Sequence, residues 1–533
     1  MRVLFVYPNL NCQIGFNYGL AYISALLKQH RHETHLLNVN EKLGFPLDLE
    51  RIRRETQEFD PDLVGFSVVS PQYDAARRIA RHMKSWCDAP ILCGGMHPTM
   101  APEETLEDEC WDYICVGEGE QAILDVVNRL ERAESVNDVR NIGYRKNGEP
   151  TRNPVRPFQD LHALPQKDFD LFDFQRMIDA KNGWVGLMAT RGCPFRCSYC
   201  FNHRMVDLYR RDTGLSGSDL NYIRRHPPEY VAREIEYLLD TYDNIDTFIF
   251  DDDILTLDKD YLRELCRLYS ELTDIPFVCN SHVKVFDAER AEILADAGCR
   301  IVKFGLESGS ERIRREVMKR RMSNEDIEDA FRTAHEAGLE TAAFVMFGLP
   351  TETMDELDET VDLLATIRPS RFRWSIFFPF PNTDAYDLSA SGGFIDPDAM
   401  EDLSNFMEAS CLDFGPAQNL RIRKLRRTIP WEVNVRTGYA PEAYREKLQE
   451  ALEADEVEWK EMEERMPEMD GEISRSLLEQ KRTHYAIKYN EFMAVKEPDK
   501  ETLEAWAEEG DREDNETADD SCPAADGYSS VSG

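Results

Sequence analysis

Three cysteines carry the chemistry most readable in this chain: Cys193, Cys197 and Cys200, within the segment TRGCPFRCSYCFN at residues 190–202. Three soft thiolates on one tight loop suit an iron-sulfur cluster, because sulfur ligands match iron in such clusters. A 4Fe-4S cluster held by three thiolates leaves one iron open, and an open iron can chelate the amino and carboxylate groups of a substrate. A structural zinc site would ask for a fourth protein ligand and paired CxxC spacings. His203 stands close enough in sequence to raise that alternative. A merely buried set of cysteines is the third reading.

The elements that must position this loop are legible as an alternation. From Val185 to about Tyr386, candidate strands VGLMAT, TFIFDDD, PFVCNS, IVKFGLES, TAAFVMFGLP and RFRWSIFFPF alternate with amphipathic helices such as Val231 to Tyr242, Tyr261 to Glu271 and Asn324 to Ala337. Such repeats predict a partial (β/α)6 TIM-like barrel, with the cysteines just after its first strand. Residues 1–135 show the same rhythm in VLFVYP, HLLNV, Leu63 to Val69, ILCGG and YICVG, which predicts a Rossmann-like doubly wound sheet. The fold class is therefore α/β. Residues 136–180, with Pro150, Pro154, Pro157 and Pro165, read as a linker, and 181–390 as the barrel. Residues 391–495 read as a helical domain broken at Pro416, Pro430, Pro441 and Pro467, and 496–533 as a disordered acidic tail.

Composition narrows the function classes. A chain of 533 residues with 42% hydrophobic residues can fold without disulfide staples. Its 101 acidic and 63 basic residues give a formal charge of -38, which repels nucleic-acid phosphates and anionic lipid. Solubility in concentrated salt would call for such acidity; an ordinary acidic enzyme is the other reading. Thirteen cysteines, dispersed and odd in number, fit a reducing cytoplasm better than a disulfide scaffold. The amino terminus lacks a signal core and no stretch approaches a membrane span.

The cysteine loop and its flanks resemble the radical S-adenosylmethionine (SAM) enzymes, specifically the class with an amino-terminal cobalamin-binding domain, over roughly residues 1 to 390. The resemblance implies that Cys193, Cys197 and Cys200 hold the cluster, with Phe195 and Tyr199 shaping the loop. It implies SAM contacts from Asp252 and Asp253 in FDDDILT and from Glu307 in GLESGS, at strand ends where barrel chemistry is assembled. FGLPTET at 347–353 and FPFPNT at 378–383 match further landmarks of the fold, and Arg320 and Arg321 either reach the SAM carboxylate or solvate a loop.

In the first domain the resemblance rests on GFSVVS, GGMHPT and VGEGE, and it implies a cobalamin site at Ser67, Ser70, Gly94, Gly95, Gly117 and Glu118. One departure stands out: the DxHxxG histidine of other cobalamin domains is missing from the loop PNLNCQIG after the first strand. Either cobalamin binds without a lower histidine, or the domain has lost cobalamin and kept its fold. His97 is expected to bond its own loop rather than a metal.

The function expected is radical SAM chemistry that, with cobalamin, methylates or rearranges an unactivated carbon. The alternatives are an anaerobic oxidative cyclase of tetrapyrrole type and a non-catalytic iron-sulfur or zinc scaffold. The expected partners are a small-molecule substrate, with a lipid or tetrapyrrole among the candidates, and an electron donor such as ferredoxin or flavodoxin. The basic run RIRKLRR at 421–427 in the last domain is expected to pair with the protein's own acids, docking of an acidic or membrane-borne substrate being the minority reading.

Overall fold

The structure is a computed structural model that describes residues 1–400, 410–498 and 502. Its first sheet contains β1 (Arg2–Pro8), β2 (Glu33–Val39), β3 (Leu63–Ser67), β4 (Ile91–Gly94), β5 (Tyr113–Cys115), β6 (Ile142–Lys146) and β7 (Glu149–Arg152). The order is β2-β1-β3-β4-β5-β6-β7, parallel through β5 and antiparallel at β6 and β7. Alternation along β1 explains both faces. Val3 and Phe5 join one apolar core with the helices Tyr18–Gln29 and Glu120–Glu131, while Leu4 and Val6 join another with Tyr73–Lys84. The reversal of strand order at β1/β3 opens a crevice at the carboxyl ends, where doubly wound sheets bind ligands.

The stretch read as a linker does more than connect. Its hairpin β6/β7 extends the first sheet, and Phe169, Phe172 and Phe174 pack their rings on Phe16 at 4.8–5.2 Å between centroids. Aromatic contacts of this kind add to the area they bury and tie the two sheets together.

After β8 (Trp184–Leu187) and β9 (Thr190–Arg191) come β10 (Arg224–Arg225), β11 (Thr247–Phe250), β12 (Phe277–Ser281), β13 (Cys299–Glu307), β14 (Glu340–Phe347) and β15 (Arg371–Ile376). β9 and β10 form a two-residue antiparallel ribbon. The barrel strands β8, β11, β12, β13, β14 and β15 are parallel neighbours in that order, a partial (β/α)6 barrel. One face of each strand packs on the outer helices, as Phe248, Val302, Ala343 and Phe372 do; the opposite parity lines the lumen, whose base is plugged by Trp184, Ile249, Val278, Ile301 and Ala342.

Three helices follow, Pro416–Thr437, Pro441–Glu453 and Glu456–Glu479, and then β16 (His484–Ile487) and β17 (Met493–Glu497). This hairpin returns to the barrel, where β17 pairs antiparallel with β15. Pro416 and Pro441 open helices as expected, but Pro430 and Pro467 lie inside them and do not break them. At Pro430 the lost backbone bond is offset by burial of Ile422, Leu425, Ile429 and Val433, all fully buried on one face. The basic run pairs internally: Arg421 with Glu432, Arg423 with Glu456, and Arg426 and Arg427 with Glu463 and Glu491. The acidic tail beyond residue 498 lies outside the described residues, apart from Thr502. Among the described residues, no helix is long and apolar enough to cross a membrane.

Candidate functional site

The cysteine loop runs from β9 to the helix Asn202–Thr213 and is pinned from behind. The Ser198 amide donates to the Met318 carbonyl at 2.9 Å, and the Ser198 hydroxyl donates to the Val317 carbonyl at 2.6 Å. Those acceptors end the π-helical turn Ile313–Val317, so the loop is fastened to the segment after β13. Within the loop, the Cys200 amide donates to the Cys197 carbonyl and the Asn202 amide approaches the Cys200 sulfur at 3.5 Å. Burial pushes the Cys193 thiol up to about 11 and the Cys200 thiol up to about 12, and each also feels Cys197 and Asp253.

Arg320 is the cation of this site. Its guanidinium donates to the Cys197 sulfur at 3.5 Å and to the Gly305 carbonyl at 2.7 Å, while its buried Nε has no hydrogen-bond partner. Glu307 lies in the field of Arg320, and burial pushes its carboxyl up against that pull. Its φ of 71° accompanies a register shift in β13, a strained conformation of the kind that collects at functional sites. Tyr199 packs half-buried beside Glu307 and Arg320, and Phe195 stacks on His282 at 3.8 Å.

The three aspartates of FDDDILT do different things. Asp252 is buried and turns back to accept from the Ala189 and Thr190 amides, bracing the strand that leads into the cysteines. Burial lifts its carboxyl to about 6. Asp253 accepts from the Asn202 side chain at 3.3 Å and faces a cavity. Asp251, which motif reading passed over, accepts from the Tyr18 hydroxyl at 2.7 Å and lines the same cavity. Period-two alternation would have found it, because residues 251 and 253 project to one side.

That cavity, about 630 Å3, lies between the carboxyl ends of the first sheet and the barrel mouth. Ser67, Gly94, Gly95, Gly117 and Glu118 line it from one side, and Arg191, Asn202, Arg224, Asp251 and Asp253 from the other. Gly95 has φ 99°, and a Cβ there would meet the Val68 backbone at 2.7 Å, so only glycine lets the chain turn this close to the end of β3. Ser67 accepts from the Asn17 side chain. Ser70 is not in the cavity wall; its hydroxyl instead lies 3.2 Å from Nδ1 of His97, which stacks on Tyr73. No histidine lines the cavity among the described residues.

Glu118 is saturated by protein. Its carboxylate accepts from Arg224 at 2.7 and 2.8 Å, from Arg191 at 3.1 Å and from the Gln159 amide at 2.7 Å. Against the upward push of burial, the two arginines hold its carboxyl below the usual range. Arg191 also bonds Glu120 at 2.7 Å. These pairs join the first sheet to the β9/β10 ribbon; Arg191 stands in the cysteine segment, but nothing in the sequence reveals its pairing, and Arg224 carried no motif.

The donor set, three thiols on one loop, suits an iron-sulfur cluster. Among the described residues, no three His, Cys, Asp or Glu side chains converge on one point. The three thiols nevertheless feel one another, and a buried guanidinium with a spare donor sits at their edge. The cavity likewise lies at the carboxyl ends of the first sheet, where a doubly wound sheet holds a flat cofactor.

Comparison with known proteins agrees. The radical SAM superfamily pattern matches residues 187–364 and the B12-binding domain pattern residues 13–127. An uncharacterised methyltransferase of Pyrococcus horikoshii is 27% identical over 74% of this chain and 84% of its own length. The anaerobic magnesium-protoporphyrin IX monomethyl ester cyclase of Rubrivivax gelatinosus is 26% identical over 72% of this chain and 69% of its own. The structure of the cobalamin-dependent radical enzyme OxsB with aqua-cobalamin superposes at a TM-score of 0.63 and 16% identity, over 90% of this chain and 75% of that one. The chain belongs to the radical SAM superfamily, in the class with an amino-terminal B12-binding domain. It is an enzyme whose cofactors are a 4Fe-4S cluster, SAM and cobalamin.

Proposed function

We propose that the enzyme transfers a methyl group to an unactivated carbon of a small-molecule substrate. The observation that carries this reading is the single cavity that has the glycine ends of the first sheet as one wall and Asn202 and Asp253, beside the cysteine loop, as the other. When bound, the cluster supplies the electron for reductive cleavage of SAM, and cobalamin supplies a methyl carrier.

In this reading Cys193, Cys197 and Cys200 are the cluster ligands, and Tyr199 and Phe195 wedge their loop against Glu307 and His282. Arg320 offers charge-assisted donors to the sulfur edge. Asp253 and Glu307 are the carboxylates available to a SAM ammonium, whereas Asp252 is spent on the backbone and acts as a brace. Ser67, Gly94, Gly95 and Gly117 form the cobalamin floor, without a lower histidine. Ser70 supports that floor through His97, and Glu118 locks the two halves together. The functional division follows the expected one: residues 1–135 for cobalamin, 181–390 for SAM, and an electron donor acting from outside.

The test is anaerobic reconstitution with iron, sulfide and hydroxocobalamin, reading iron, bound cobalamin and the products of SAM in one sample. Methyl transfer requires S-adenosylhomocysteine as well as deoxyadenosine. Deoxyadenosine without S-adenosylhomocysteine would favour the second reading, an oxidative cyclase, which the similarity to the Rubrivivax enzyme supports. Cluster without SAM cleavage in competent protein would defeat both.

A further inference from the structure

The cysteine loop has a second, outward side. A groove of about 400 Å3 is walled by Cys193 itself together with Arg196, Arg210 and Ile223. It is separate from the large cavity, whose walls include none of the three cysteines. Both arginines are exposed, and no carboxylate lines the groove among the described residues. Arg196 pairs at 2.9 Å with Asp207 on its rim; Arg210 has no ion-pair partner among the described residues. Next along the helix, Arg211 is exposed beside Asp212, whose carboxylate is shared with Arg152. Ile223 is 46% exposed, a large apolar side chain left at the edge of this basic surface.

Basic walls are conspicuous on a chain of formal charge -38. A neutral or basic partner gains nothing from them, whereas an acidic partner must be guided past the general repulsion to one local attraction. The chemistry also demands a visitor at this spot. Reductive cleavage of SAM takes one electron from an outside carrier, which is oxidised by one electron; the carbon–sulfur bond breaks, methionine leaves with a lone pair on sulfur, and the adenosyl carbon keeps the unpaired electron. Nothing in the chain supplies that electron. Electron transfer is short-ranged, and the groove brings the solvent to the wall formed by Cys193.

We propose that this groove is the docking site of a small acidic electron-carrier protein, with Arg196 and Arg210 as its charge contacts and Ile223 as its apolar contact. The proposal rests on the reading that SAM is cleaved reductively at the cysteine loop.

The experiment measures equilibrium binding of a flavodoxin and of a ferredoxin to the reconstituted holoenzyme at low and high salt. Arg196→Glu with Arg210→Glu should raise the dissociation constant of the carrier that binds about tenfold or more, and should remove most of the salt dependence. Arg332→Glu, the same kind of charge change on a distant helix, should leave it unaltered. Equal shifts in both variants, no shift in either, or no binding of either carrier to the wild type would overturn the proposal. Dithionite, a small reductant that needs no docking, provides the separate arm: Arg210→Glu should release deoxyadenosine with dithionite at the wild-type rate and slowly with the carrier. Failure of the wild type itself with dithionite would defeat the functional reading, independently of the binding constants.

Discussion

Two polar clusters near the barrel mouth, each setting a carboxylate beside arginine, are finished to different degrees. Around Glu118 both carboxylate oxygens are used, by two arginines and a backbone amide. Around Cys197 the arginine reaches only a sulfur at 3.5 Å and a carbonyl, and keeps a buried donor unused. Buried polar groups are normally satisfied, so the first cluster is complete as a joint, and the second is complete only with something further in place. Charge and burial alone do not separate a structural pair from a ligand site; an unused buried donor placed beside thiols adds what they lack.

The sharpest way to break this comparison is at the thiols. Cys197→Ala should abolish iron incorporation and deoxyadenosine release while the far-UV spectrum and solubility persist; normal iron content in that variant would remove Cys197 from the ligand set. At the joint the effect should fall on folding instead. Glu118→Ala leaves the buried Arg224 without its carboxylate and Arg191 with Glu120 alone, and should cost about 3 kcal/mol, read by denaturant unfolding, with iron content kept in whatever fraction remains folded. Asp252→Asn sets an amide N–H2 against two backbone donors and should cost about 1–3 kcal/mol; an unchanged unfolding midpoint would show that the brace carries no load.

Acid should act through two buried histidines, His97 in the first domain and His226 just after β10. Burial, helped by Arg77, pushes His97 down to about 4, and burial first among several causes pushes His226 down to about 3. Both are neutral in the folded chain where the unfolded chain already binds protons. Their stabilisation is therefore present above about pH 6.5 and is lost as pH falls toward 4, with a slope of up to about 1.4 kcal/mol per pH unit for each. His97→Gln should flatten the upper part of that curve. The smallest effect expected is that of removing the tail: truncation near residue 500 should leave the melting temperature within about a degree, and a cooperative loss would show that the tail docks.

Sequence reading recovered the parallel strands because each is an apolar run bounded by helices, as in VLFVYP for β1 and TFIF for β11. The start of the helix at Asn324 was legible because Ser323 announces it, and there the structure forms a capping box; Thr353, which caps the next helix in the same way, was not read as a cap. The hairpins β6/β7 and β16/β17 were not, since four- and five-residue edge strands with mixed polarity carry little periodic signal. In the site, the cysteines could be read because their partners are one another within a single loop. Tyr18 and Asp251, 233 residues apart, could not, and neither could the arginines of Glu118, because only the fold brings such pairs together.

The hairpin β16/β17 has a consequence for how the chain is made. β15 ends at Ile376, yet the strand that covers its outer edge begins at Met493. At about 5–20 residues per second on the ribosome, that edge waits roughly 6–24 seconds for its cover. Throughout this interval a nearly complete barrel presents an open row of backbone donors and acceptors, the template on which neighbouring nascent chains pair. Synthesis of the hundred or so residues between β15 and β17 is thus a race between self-closure and aggregation, and slow translation or early termination after the barrel would tip it toward the latter.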